Sequence, residues 1–259
     1  MTPVRQRSRD PAVLIKRGGI LTKELGVIGG LGPMATAYYI ELVVKMTEAK
    51  YDREHVPMII YNRPAIPDRT EYILGKSKDS PLDAMISIGR SLVSLGAEHI
   101  AIPCITAHYF YNELTDNIGV PIINIPGETA DYLKANGIEK VGIMATDGTI
   151  YGGFFKSELE SRGIKVVVPD ENGQKKVMSI IYDDIKANRP FDLKNFKSVE
   201  TELREKGAQI IILGCTELSL IKREGKTGPG FIDAMEVLAA RSIELSGATL
   251  KKEHKSLIT

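Results

Sequence analysis

The sequence predicts an α/β protein made of two similar α/β/α halves with mainly parallel sheets. Two observations support this prediction. Short apolar segments of strand length alternate with amphipathic segments of helix length from Glu24 onward, a pattern typical of parallel sheets covered by helices. In addition, the segment Gly96–Cys104 is similar to the segment Gly207–Cys215, 111 positions later. We therefore expect a duplicated fold whose halves are related by a pseudo-twofold axis, with a cleft between them.

Each predicted strand is a short apolar segment between two longer amphipathic ones. In chain order the predicted strands are Leu25–Ile28, Met58–Tyr61, His99–Ile102, Ile122–Ile123, Lys140–Met144, Lys165–Val168 and Ile210–Leu213. Ligands of such folds bind beyond the carboxyl ends of the strands. The residues that follow each strand are therefore the first candidates for a functional site.

The predicted helices carry apolar residues at helical spacing. In chain order they are Ala35–Lys50, Ser80–Leu95, Ala107–Asn117, Gly127–Asn136, Tyr151–Arg162, Lys175–Lys186, Leu193–Lys206 and Ala234–Leu245. In the last of these, one apolar stripe consists of Met235, Leu238, Ala239 and Ile243. We expect this stripe to pack on the first half, so that the chain returns to the domain in which it began.

These elements define the expected domains. We assign residues 23–127 together with 231–250 to the first α/β domain, and residues 128–230 to the second. Residues 1–22 hold five basic side chains and one acidic side chain, with no apolar segment of secretory length. We expect them to form a disordered N-terminal extension, and we expect the tail Lys251–Thr259 to be frayed as well.

The composition excludes several classes of protein. The 259 residues carry 34 basic and 33 acidic side chains, so the basic excess typical of nucleic-acid-binding proteins is missing. No apolar run approaches the roughly 20 residues that a transmembrane helix requires. Two cysteines cannot form a disulfide framework or a four-cysteine zinc site. We therefore expect a cytoplasmic protein that binds a small molecule and no metal, nucleic acid or membrane.

Cys104 and Cys215 are the two cysteines of the chain and occupy the same position in the two repeats, at the carboxyl end of a strand. A helix is predicted to begin after each of them, and a helix N-terminus favours the thiolate and lowers the thiol pKa. Across an interdomain cleft the two sulfurs would face each other. Such a pair suits inversion of a carbon stereocentre, in which one group removes a proton and the other delivers one to the opposite face.

Two other motifs favour competing interpretations. The segment Gly30–Ala35 matches a dinucleotide-binding fingerprint after a strand, but the acidic residue expected at the end of the second strand is missing, since Asn62 follows it. His108 lies four residues after Cys104 and would suit the nucleophile–base pair of a hydrolase. Cys215 has no matching histidine, which favours the symmetric proton-transfer interpretation.

Five motifs resemble, in the same order, those of the aspartate/glutamate racemases that need no pyridoxal phosphate. They are Gly29–Thr36, Ile66–Thr70, Pro103–His108, Ala145–Thr149 and Gly214–Leu218. The resemblance extends from Glu24 to Gly247, and Glu217 is typical of the aspartate-type branch. It implies a homodimeric amino-acid racemase that uses no cofactor, in which Cys104 and Cys215 exchange the roles of base and acid.

The resemblance also implies which residues contact the substrate. Arg69 lies in the second motif, and Lys176 overlays it in the second half, so both are candidates for binding the carboxylates of a dicarboxylic amino acid. Glu217 either orients Cys215 or accepts the substrate ammonium group. The predicted substrate-binding residues are Gly32, Arg69, Thr70, Ile105, Thr106, Thr149, Lys176, Thr216 and Glu217.

One residue departs from the family pattern. Ile105 stands where the family usually has an asparagine, which removes one amide from the cleft. A buried polar contact contributes about 0.5–1.5 kcal/mol net, so we expect altered substrate binding rather than lost proton transfer. Two alternatives stay open: a related isomerase of the maleate-isomerase or hydantoin-racemase type, and a catalytically impaired protein that binds dicarboxylates. The choice between aspartate and glutamate also stays open.

Overall fold

The computed structural model describes residues 22–259, and the extension predicted for residues 1–22 lies outside these residues except for Thr22. The described chain forms two parallel sheets, which confirms the predicted fold class. The strands are β1 (Leu25–Gly29), β2 (Met58–Asn62), β3 (His99–Ala101), β4 (Lys140–Met144), β5 (Lys165–Val167), β6 (Ile210–Leu213) and β7 (Phe231–Asp233). The first sheet has the order β2-β1-β3 and the second the order β5-β4-β6-β7.

Helices connect the strands and cover the sheets. The α-helices are α1 (Pro33–Met46), α2 (Arg69–Ile73), α3 (Leu82–Ser94), α4 (Tyr111–Ile118), α5 (Ile125–Ala135), α6 (Asp147–Gly152), α7 (Phe154–Ser161), α8 (Glu171–Ser179), α9 (Leu193–Glu205), α10 (Ser219–Arg223) and α11 (Ala234–Leu245). Short 3₁₀-helices span Asp52–Glu54, Ile105–Phe110 and Lys252–His254, and Ile180–Ile185 is a π-helix. Between residues 22 and 259, no helix is long and apolar enough to cross a membrane.

The two halves repeat the same strand packing. In each half the first strand lies between the other two, with the order β2-β1-β3 in one half and β5-β4-β6 in the other. A Cβ atom placed on Gly26 of β1 would lie 2.9 Å from Ala97, and one placed on Gly142 of β4 would lie 3.3 Å from Ala208. Ala97 and Ala208 are equivalent in the sequence repeat, so the repeat corresponds to equivalent positions in three dimensions.

The second sheet has one strand that the sequence did not predict. β7 is three residues long and pairs with β6, although the sequence analysis assigns residues 231–233 to the first domain. A segment this short has no measurable periodicity, so only its tertiary pairing identifies it as a strand. Conversely, the predicted strand Ile122–Ile123 makes one isolated bridge, between Ile122 and Ile100.

The C-terminal tail is packed, so the prediction that it is frayed was wrong. Ile258 forms an antiparallel bridge with Ile232 of β7, and Leu257 is buried. The predicted helix Tyr151–Arg162 is also divided in two, because Gly153 adopts a left-handed conformation with φ of 67° between α6 and α7. Both differences depend on backbone contacts and dihedral angles rather than on apolar periodicity.

Helix α11 returns to the first half, as predicted. It packs against α1 and α5. The four residues of its apolar stripe are all buried: Met235, Leu238, Ala239 and Ile243. They belong to an apolar core that includes residues of both sheets. The two halves are therefore joined through a shared core as well as through the cleft between them.

Candidate active site

A narrow cleft lies between the two halves, where the strands of both sheets end. Both cysteines line it, together with side chains of opposite charge. The lining residues are Leu31, Asp68, Arg69, Thr70, Cys104, Ile105, Thr106, Thr146, Tyr182, Lys186, Cys215, Thr216 and Glu217. The tertiary structure thus brings together both members of the predicted cysteine pair and most of the predicted substrate-binding residues.

The second cysteine lies against a carboxylate. The Cys215 thiol donates a hydrogen bond to Glu217 Oε2 at 3.0 Å, and Glu217 Oε1 forms an ion pair with Lys186 Nζ at 2.8 Å. Burial and the Glu217 charge raise the pKa of Cys215 well above its ordinary value, and Lys186 only partly opposes them. The expectation that a helix N-terminus lowers this pKa was wrong, because α10 begins only at Ser219.

The first cysteine has a different environment. A 3₁₀-helix begins directly after Cys104, and its first residue, Ile105, is buried and forms an apolar part of the cleft wall. The ring of His108 does not pair with the thiol. Its Nδ1 contacts the Cys104 carbonyl oxygen and its Nε2 contacts the Ile123 carbonyl oxygen, both at 3.1 Å. These contacts argue against the hydrolase interpretation, because both ring nitrogens are occupied by backbone groups.

Arg69 supplies a buried positive charge to the cleft. Its Nη2 donates to the Leu31 carbonyl oxygen at 2.9 Å and its Nη1 donates to the Pro67 carbonyl oxygen at 3.1 Å, while Nε is buried without a partner among the described residues. Burial lowers its pKa, but the Cys104 sulfur and nearby carboxylates outweigh this effect and raise it overall. A fixed guanidinium of this kind matches a carboxylate.

Hydrogen bonds among three threonine hydroxyls join the two halves at the cleft. Thr106 of the first half lies 2.9 Å from Thr146 and 3.1 Å from Thr149 of the second half, measured between hydroxyl oxygens. Thr146 caps α6 by accepting a hydrogen bond from the Thr149 N–H. Thr106 and Thr146 line the cleft, whereas the predicted contact Thr149 lies one layer behind them.

Gly32 lies beside the cleft rather than in its lining. It has a φ of 134°, and a Cβ atom there would lie 2.6 Å from Glu217 Oε1. The backbone of the first half therefore approaches a carboxylate of the second half closely. This approach requires glycine for two reasons, the positive φ and the missing space.

Lys176 does not reach the cleft, so its predicted role as a substrate contact is not supported by its position. Its ammonium group donates to Ser198 on the outer surface, at 2.8 Å. Lys186 lies in the cleft instead, at the end of the π-helix, where its backbone N–H donates to the carbonyl oxygen of Ile181, five residues earlier. The wider π-turn changes which side chains face the cleft, and sequence periodicity does not show it.

The same π-helix contributes Tyr182, whose hydroxyl donates to the Asp68 carboxylate at 3.2 Å across the two halves. Asp68 in turn caps α2, the helix that begins with Arg69. Five lining residues are not among those predicted from the sequence: Leu31, Asp68, Thr146, Tyr182 and Lys186. The first three lie inside quoted motifs, which was a usable signal, whereas no motif marks the last two.

Comparison with known proteins agrees with this architecture. The Asp/Glu/hydantoin racemase family model matches residues 28–241. The chain is 33% identical to an aspartate racemase of Picrophilus torridus of known structure, with a TM-score of 0.79 over 90% of this chain and 98% of that one. An aspartate racemase homologue from Pyrococcus horikoshii gives 27% identity and a TM-score of 0.69, over 86% of this chain and 99% of that one.

A relative in Bacillus subtilis, the broad specificity amino-acid racemase RacX, is 26% identical over 85% of this chain and 96% of its own length. The match of the family model extends over most of the described residues and includes both cysteines and both sheets. The duplicated fold and the cleft between its halves are consistent with that match. The chain therefore belongs to the Asp/Glu/hydantoin racemase family of enzymes.

Proposed function

We propose that the protein racemises an acidic amino acid, aspartate or glutamate, by proton transfer at Cα between Cys104 and Cys215. The observation that carries this proposal is the position of the two thiols. They come from equivalent positions of two repeated halves and line one cleft. A reaction that inverts a stereocentre in both directions needs two interchangeable acid–base groups, and the duplication supplies them.

The charges of the cleft support an acidic amino acid as the substrate. Arg69 comes from the first half and Lys186 from the second, so each half offers one cation to one of the two carboxylates. Burial lowers the pKa of Lys186, but its ion pair with Glu217 outweighs this effect and raises the pKa overall, so the ammonium group is charged at neutral pH. Glu217 and Asp68 are the available acceptors for the substrate ammonium group.

The proton balance of the proposed reaction follows from the state of Cys215. Because its pKa is raised, we assign the thiol, and therefore the proton donor, to Cys215, and we assign the role of the base to Cys104. The Cys104 thiolate accepts the Cα proton and becomes a thiol, which leaves the electron pair of the broken C–H bond on a carbanion-like centre. The Cys215 thiol gives its proton to the opposite face and becomes a thiolate. The reverse reaction restores the starting state directly. Before a second forward turnover, Cys104 gives its proton to solvent water and Cys215 takes one from it.

The carbanion-like centre needs stabilisation, since the Cα–H of an amino acid is very weakly acidic. Arg69 and Lys186 neutralise the substrate carboxylates and offer N–H donors at the cleft wall. Fixed donors of this kind stabilise developing negative charge better than water, because they are already oriented. The Ile105 side chain has no hydrogen-bond donor, so it offers the substrate only an apolar contact.

The deciding experiment incubates the protein with L-aspartate, D-aspartate and both glutamate enantiomers in deuterium oxide. Proton NMR reports exchange at Cα, and chiral chromatography reports inversion. Exchange together with inversion supports the proposal. Isomerisation of maleate without Cα exchange would indicate the related isomerase instead, and tight aspartate binding without exchange would indicate a dicarboxylate-binding protein.

A further inference from the structure

A fully buried carboxyl group lies behind the second cysteine turn, outside the cleft. Asp233 ends β7, and its Oδ1 accepts hydrogen bonds from Ser219 Oγ at 2.7 Å and from the Met235 N–H at 2.9 Å. Its Oδ2 is also buried and has no hydrogen-bond partner among the described residues. An unpaired carboxylate oxygen in the interior is costly, so packing alone does not explain this side chain.

The hydrogen bonds of Asp233 connect it to the Cys215 turn. On the sheet, Asp233 is paired with Leu213 of the neighbouring strand, and Cys215 follows two residues later. Ser219 begins α10 and stands two residues after Glu217, which accepts the hydrogen bond of the Cys215 thiol. Because this turn is short, a displacement of Ser219 also displaces Glu217.

The charges around Asp233 leave it without a basic partner. Three titratable side chains on three helices interact with it: Tyr38 of α1, Lys222 of α10 and Glu236 of α11. The base among them, Lys222, is already paired with Glu236 at 2.7 Å. Glu41 and Arg223, which act on Tyr38, pair with each other at 2.7 Å. Burial and the Glu236 charge raise the pKa of Asp233 to about 7, while Lys222 opposes them.

We propose that Asp233 is a positioning residue for Cys215. By its hydrogen bond it holds Ser219 in place, and Ser219 in turn keeps Glu217 within hydrogen-bond distance of the Cys215 thiol. Burial and Glu236 favour the neutral acid, whereas the two hydrogen bonds favour the carboxylate, since both of them lower the pKa of Asp233. An ionised carboxylate is the stronger hydrogen-bond acceptor. The hold on Ser219 therefore strengthens as the pH rises through neutrality. The catalytic meaning of this device rests on the proposed function, but the device itself can be measured without turnover.

The test uses the Cys104→Ser variant, in which Cys215 is the only remaining cysteine, and measures its rate of alkylation by iodoacetamide. Glu217 raises the pKa of Cys215, so a displaced Glu217 gives more thiolate and faster alkylation. Adding Ser219→Ala should increase the rate at neutral pH by about threefold or more.

Adding Asp233→Asn instead tests the dependence on pH. The amide oxygen keeps both hydrogen bonds and cannot ionise, so the rate should match that of Cys104→Ser in mildly acidic buffer. Above neutral pH, Asp233→Asn should show a larger increase in rate than Cys104→Ser does, because only the parent gains the stronger hold on Ser219. An equal increase in the two proteins would contradict the pH-dependent part of the proposal.

Tyr39→Phe in the same background is the matched control. It removes a hydrogen bond between Tyr39 and Ser242, 2.6 Å long, that is as buried as the one between Ser219 and Asp233. Ser242 lies on α11, nine residues after Asp233. This variant should lower the melting temperature without faster alkylation. If Ser219→Ala alkylates at the rate of its parent, or if Tyr39→Phe accelerates alkylation equally, the positioning role is disproved. Faster alkylation after Ser219→Ala, together with no racemisation by the unmutated protein, would support the positioning role and refute the proposed function.

Discussion

The Cys215 thiol donates a hydrogen bond to Glu217 Oε2 across 3.0 Å, and the equivalent of Glu217 in the first repeat is Thr106. The duplication is therefore symmetric in its backbone but not in the groups around the two sulfurs. A carboxylate beside a buried thiol disfavours the thiolate. We propose that this difference keeps Cys215 protonated between turnovers and assigns the first proton abstraction to Cys104.

The two cysteines should be separable by the enantiomer on which each acts. With Cys104→Ser, Cys215 can still remove and return a proton on its own face, but no thiol remains opposite it. Racemisation should fall by orders of magnitude in both directions, while slow Cα exchange persists for one enantiomer. With Cys215→Ser, exchange should persist for the other enantiomer. NMR in deuterium oxide measures both, and exchange of the same enantiomer by both variants would contradict the opposed arrangement.

Lys186, rather than Lys176, should bind the substrate. Replacing Lys186 with alanine removes a charge-assisted contact and should lower kcat/KM for aspartate by about 10- to 100-fold. Lys186→Arg should recover much of the loss. Lys176→Ala is the matched control, since Lys176 lies on the outer surface, and steady-state kinetics should show little change. A larger loss of kcat/KM in Lys176→Ala than in Lys186→Ala would support Lys176 as the substrate-binding lysine.

Gly32 should be required for activity because of its close approach to Glu217, which Gly75 lacks. Both Gly32 and Gly75 have positive φ, but an added Cβ meets Glu217 only at Gly32 and meets nothing within 4 Å at Gly75. Gly75→Ala should therefore cost about 1 kcal/mol of stability and leave kcat unchanged. Gly32→Ala should displace Glu217 and lower kcat severely. Equal kinetic effects in the two variants would refute this difference.

Tyr182→Phe should weaken the connection between the halves without removing a catalytic group. The hydroxyl donates to Asp68, next to Arg69, so we expect a loss of about 0.5–1.5 kcal/mol in stability and a higher KM for aspartate. Urea unfolding and steady-state kinetics measure the two effects. An unchanged KM would show that Arg69 is held sufficiently by its backbone acceptors alone.

The stability of the protein should fall as the pH rises from about 4 to 7 because of Asp233. Its pKa is about 7 in the folded chain and 3.8 as the unperturbed value, so the folded state binds the proton more tightly. This stabilisation of the folded state is complete below the unperturbed pKa and is lost once the pH exceeds the pKa in the folded chain. The free energy of unfolding should fall over this range by an amount on the order of a few kcal/mol.

Asp233→Asn should flatten this dependence, because the amide does not titrate. Urea midpoints in acidic and alkaline buffer, measured for both proteins, give the comparison directly. If the two proteins lost the same stability across the interval, the titration of Asp233 would not contribute.

The sequence by itself determined the fold class, the duplication and the pair of cysteines. The alternation of short apolar segments with longer amphipathic ones is a local property, and it predicted strands of both sheets correctly. The equivalence of Cys104 and Cys215 could be predicted because each cysteine follows a strand in one of two repeated segments. Six residues that the motifs predicted as substrate contacts line the cleft: Arg69, Thr70, Ile105, Thr106, Thr216 and Glu217.

Only the tertiary structure decided which side chains complete the cleft. Lys186 and Tyr182 reach it through a π-helix, whose wider turn cannot be read from a pattern based on 3.6 residues per turn. β7 became a strand through its pairing with β6, and the C-terminal tail was ordered by its bridge to β7. The pKa of Cys215 also follows from burial and from a carboxylate that the turn folds back onto the thiol. Such effects depend on distances between atoms, which the local sequence pattern does not fix.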